Sequence, residues 1–92
     1  MGCTEAEWLR WLPAAIGDHT WKIEHASARV HIAGGGQPLG TLTMTWSVGS
    51  LRKIALVALP RLHVNFQFEG LDDAQRYTFM RRFDLYMQRG GG

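Results

Sequence analysis

Cys3, His19, His25, His31 and His63 are the side chains of this sequence that could serve a metal ion or a nucleophilic step. Their spacing does not favour a metal. There is no Cys-x-x-Cys and no His-x-x-x-His pair, so neither a knuckle nor a single helix face can supply two ligands. His25 shares the parity of Trp21 and Ile23, while His31 falls on the polar parity of its own stretch, so the two diverge. His31 and His63 both fall on polar parities. If their strands are neighbours, the two imidazoles meet on one sheet face, and a metal-assisted enzyme is one reading. Two solvated surface histidines are the simpler one. No metal and no cofactor is expected.

Nucleophilic chemistry has little more support. Cys3 stands just before the first helix, whose positive end favours a thiolate. It also sits near the start of the chain, where order is usually poor. No Gly-x-Ser-x-Gly elbow is present. Asp72 and Asp73 are adjacent, but at the start of a helix such carboxylates serve as caps before they serve as an acid/base pair. The sequence points away from an enzyme.

Ten Lys and Arg against eight Asp and Glu leave a net charge of +2, with a sequence pI near 9.1. A nucleic-acid binder usually concentrates its basic residues in a stripe. Arg76, Arg81, Arg82 and Arg89 load the last helix, and Arg81 and Arg82 point away from its Phe79/Phe83 face. Phosphate binding through Arg81, Arg82 and Arg89 is therefore an alternative function. Against it, Asp73 and Asp84 lie among these arginines, and the polar sheet face offers no aromatic ring for bases to stack on.

The elements that position these residues can be read from their periods. From Arg61 to Glu69, apolar Leu62, Val64, Phe66 and Phe68 alternate with polar residues, the mark of a strand with one dry and one wet face. Thr4 with Glu7 forms a capping box. Trp8, Leu9, Leu12, Ala15 and Ile16 then recur at helical spacing, with Trp11 off the stripe. Pro13 predicts that this helix ends or kinks near Leu12, with a turn continuing to Gly17. Thr20–His25 and Ala28–Ile32 predict a hairpin turning at Ala26-Ser27. That register sets Trp21 against Ile32, Ile23 against Val30 and Glu24 against Arg29.

Ala33 to Gly40 reads as a loop, and Thr41 to Val48 as a strand with Leu42, Met44, Trp46 and Val48 on its dry side. Gly49-Ser50 suits a two-residue turn. Leu51 to Leu59 is apolar on both parities, and Pro60 makes it either one arm of a hairpin at Leu59-Pro60-Arg61 or part of a long strand bulged there. Asp72 with Gln75 opens the last helix, with Phe79, Met80, Phe83, Tyr86 and Met87 on one face. Asp72–Arg76 and Arg81–Asp84 are its expected ion pairs. Gly90 is its expected stop, and residues 89–92 are expected to fray.

These elements predict one α+β domain over 1–92. It is a two-layer sandwich in the order α-β-β-β-β(-β)-α, with an antiparallel sheet of four or five strands and both helices on one face. No run of about twenty apolar residues exists to span a membrane. The start lacks a secretory signal, and Ala6 stands where a myristoylation motif needs Ser or Thr. With a single cysteine, the expected location is the cytoplasm.

Apolar residues exceed what one sheet face and two helices need. Ile54, Leu56, Tyr77 and Leu85 are the surplus, and they are the candidate interface of a homodimer or a complex with a protein partner. The polar sheet face, with Arg29, His31, Arg61, His63, Asn65 and Gln67, is the second candidate binding surface. The expected function is a small non-enzymatic binding or interaction module.

Overall fold

The structure, a computed structural model, describes residues 3–48, 52–54, 57–59 and 62–91, with side chains over 3–48 and 62–88. It begins with helix α1 (Glu5–Ile16). The Thr4 hydroxyl accepts the Glu7 N–H at 3.1 Å, and Glu7 Oε1 accepts the Thr4 N–H at 3.0 Å, so the capping box is complete. The helix does not stop at Pro13 but runs through it to Ile16. Proline removes the hydrogen bond to the carbonyl of Leu9, yet Leu9 and Pro13 both lie on the exposed side, where water can serve that carbonyl. Buried Trp8, Leu12, Ala15 and Ile16 span the break and hold both halves to the core.

Four strands follow in one antiparallel sheet: β1 (Thr20–Glu24), β2 (Ser27–Gly34), β3 (Gln37–Val48) and β6 (Leu62–Glu69), in the order β1-β2-β3-β6. The first hairpin turns at His25-Ala26, one residue earlier than expected. Trp21 faces Val30, Ile23 faces Ala28, and Glu24 faces Ser27 instead of Arg29. The cause is β3, whose Thr45 pairs with Ser27 and whose Trp46 N–H donates to the Ala26 carbonyl at 3.0 Å, drawing both residues into the ladder. His25 takes the positive φ (54°) that such a tight turn demands.

The expected loop over 33–40 is instead a second tight hairpin. Gly35 and Gly36 both have positive φ (59° and 77°), which matches the twist of the flanking strands. A register shift between Ile32 and Ala33 leaves Leu39 unpaired and makes room for Pro38 in the ladder.

β4 (Arg52–Ile54) and β5 (Val57–Leu59) pair with each other in a separate two-stranded sheet. The described part of the apolar segment is therefore not one continuous strand: Arg52, Lys53 and Ile54 pair with Leu59, Ala58 and Val57. Gly49-Ser50 and Pro60 lie outside the described residues.

Helix α2 (Asp73–Gly91) closes the chain. Asp72 Oδ1 accepts the Gln75 N–H at 2.8 Å and Gln75 Oε1 accepts the Asp72 N–H at 3.0 Å, the second capping box. The helix passes Gly90, since glycine without a Cβ can hold helical angles at modest cost. Among the described residues its ion pair is Arg76–Asp73 at 3.7 Å; neither expected pair forms.

The dry face of the sheet, with α1 and α2 on it, encloses the core. Val30, Leu42, Met44, Trp8, Leu12, Ile16 and Phe83 are fully buried. Trp8 meets Trp46 and Phe83 edge-on at 5.6 and 5.9 Å, and Phe79 stacks with Phe83 at 6.0 Å. The Trp46 indole N–H donates to Glu5 at 2.9 Å, tying β3 to the first turn of α1. Trp8 Nε1 is buried with no acceptor among the described residues. Val48, expected on the dry face, is 68% exposed at the end of its strand.

Candidate functional site

The wet face of the sheet is polar in each row that crosses all four strands. Thr20, His31, Thr41 and Glu69 line up across the four strands, then Lys22, Arg29, Thr43 and Gln67, then Glu24, Ser27, Thr45 and Asn65. Ser47 and His63 end the array. Arg29, His31, His63, Asn65 and Gln67 are all exposed on it, as expected; Arg61 lies outside the described residues.

His31 and His63 do not meet. β3 stands between their strands, with His31 opposite Thr41 and His63 opposite Ser47. Those partners are six residues apart, ~20 Å along the strand. His31 and His63 therefore lie too far apart to share one metal ion. His25 sits in the turn at the far end of β1, and among the described residues no three potential ligands gather.

His19 has a structural task. Its Nδ1 accepts the Ala33 N–H at 3.2 Å, and its ring lies 5.7 Å from Phe79. With Asp18, His31, Arg82 and Gly34–Gly36 it lines an open cleft of about 420 Å³ at the glycine turn. Sequence reasoning missed this cluster; the signal was the Gly-Asp-His run directly after a helix. No hydrogen bond or ion pair among the described residues joins Asp18, His19, His31 and Arg82, so the cleft has no organised acid/base group.

Cys3 is the reverse of an activated thiol. It is 5% exposed, and burial, with the Glu7 carboxylate adding, pushes its pKa up. Desolvation is the largest cause.

The arginines of α2 are divided. Arg82 packs against the end of α1 so closely that a Cβ on Gly17 would lie 2.9 Å from its Nε. α1 has no basic residue in its own last turn, and Arg82 supplies the positive charge there. The same guanidinium lies 4.6 Å over the Tyr86 ring. Arg81 is exposed, and the Arg89 side chain lies outside the described set.

Of the candidate interface residues, Tyr77 is 66% exposed and Leu85 46%. They flank a shallow groove of about 390 Å³ on the outer side of α2, shared with Thr78, Arg81, Arg82 and Tyr86. Ile54 belongs to β4, and Leu56 lies outside the described residues. No helix among the described residues is long and apolar enough to cross a membrane.

Compared with protein-family models, with curated proteins and with solved structures, the chain matches none.

Proposed function

We propose that the protein is a small non-enzymatic interaction module that associates with itself. The observation that carries this reading is the pair of large apolar side chains, Tyr77 and Leu85, exposed on the outer side of α2 while the core beneath is complete without them. Exposed apolar surface beyond the needs of the core is how soluble domains present a contact. The polar sheet face is the second surface for such contacts. A flat sheet face holds a small ligand only where a partner or loop makes it concave.

The test is molecular mass in solution across a concentration series. The reading predicts a rise from 10.4 kDa toward twice that value. A monomer at every concentration contradicts self-association.

A further inference from the structure

β6 is the outermost strand of its sheet, and among the described residues nothing pairs with its outer edge over 64–69. Monomeric proteins blunt such edges with lysine, proline, a bulge or a covering element. β6 carries no lysine or proline, and its register with β3 runs without a shift over eight residues. The opposite edge, β1, is five residues long and carries Lys22.

The dry side also thins out along the outer part of β6. Leu62 at the start of the strand is buried, but Val64, Phe66 and Phe68 are half-buried, while the inward residues of β2 and of central β3 are buried. Below them lies α2, with Phe83 against Phe66 and Phe79 against Phe68. Arg82 marks the flank of α2 that meets α1; the flank away from it carries Met80, half-buried, and Tyr77, exposed.

We infer that β6 pairs with β6 of a second copy, antiparallel about a two-fold axis, so that two four-stranded sheets become one of eight. This rests on the self-association proposed above but puts its contact at the sheet edge and not on the outer side of α2. An antiparallel strand can pair with itself across a two-fold axis, and this sequence matches itself when it does. Centred on Phe66, the register sets Val64 against Phe68 of the second copy, Asn65 against Gln67, and His63 against Glu69. Apolar residues meet on the dry side, and amide meets amide and imidazole meets carboxylate on the wet side. That row-by-row match assigns the edge to another copy of this chain and not to a foreign strand.

The experiment uses two double variants of the full chain, Asn65→Lys with Gln67→Lys, and Asn65→Glu with Gln67→Glu. Both positions are exposed, so the core is untouched, and circular dichroism checks the fold. Each variant alone sets like charges face to face, and its dimer affinity is expected to fall at least tenfold. An equal mixture sets Lys against Glu and is expected to restore the dimer. A variant that dimerises alone like the wild type, or a mixture that stays monomeric, overturns the inference. A wild type that is monomeric throughout removes the proposed self-association and this contact together. A wild-type dimer that survives both β6 variants but is lost in Leu85→Ala keeps the self-association and overturns β6 as its site.

Discussion

Phe83 is the side chain on which most of the aromatic core converges: it is 0% exposed and touches Trp8, Phe66 and Phe79. Phe83→Ala is expected to cost ~3–5 kcal/mol in chemical denaturation. Phe66→Ala is expected to cost less, because Phe66 is half-buried at the sheet edge. The alternation of β6 shows which way Phe66 points but not how deep it lies; depth depends on the place of the strand in the sheet. Cys3 gives a pH prediction. Its proton is held more tightly in the folded chain than in the unfolded one, so the folded state binds more protons in the alkaline range. Stability is then complete below the ordinary thiol pKa and declines as pH rises through it toward the raised folded value. Thermal melts of Cys3→Ala should lack that alkaline decline, and an equal decline would place its cause elsewhere. At neutral pH the native thiol should react slowly with alkylating reagents.

Among the elements, both capping boxes were legible because each is a local exchange of two hydrogen bonds between residues three apart. Hairpin register was not, because β3 sets it from a distance by engaging Ser27 and the Ala26 carbonyl. Pro13 misled for a similar reason: its local cost is outweighed by a buried face that continues past it. Gly40 was read as part of a loop, yet it sits where β3 passes the end of β6. A Cβ there would run into the Glu69 carbonyl and come within 3.0 Å of Leu71 Cγ. Gly40→Ala is expected to destabilise by ~1–3 kcal/mol or more, since backbone and not a flexible side chain must yield. A melting temperature equal to the wild type would show that β3 and β6 are not so close.

At the scale of the whole molecule, the fold class was legible because two periods, two-fold and helical, mark which sides must be covered. Strand order was not, and with it went the pairing of His31 with His63, which depends on neighbours that no local pattern encodes. The charge balance makes a further prediction. With Arg82 engaged at the end of α1 and a wet face without aromatics, the protein should not bind oligonucleotides at physiological salt. Fluorescence anisotropy with labelled single- and double-stranded probes checks this; binding that falls steeply with added salt would favour the nucleic-acid alternative.

The central claim is that this domain acts as a contact surface through the open rim of its sheet. Amide hydrogen exchange as a function of protein concentration tests it most directly. The outward amides of β6 over 64–69 are expected to exchange more slowly as concentration rises, while those of β1 stay unchanged. Protection of β6 that is the same at every concentration would contradict the account.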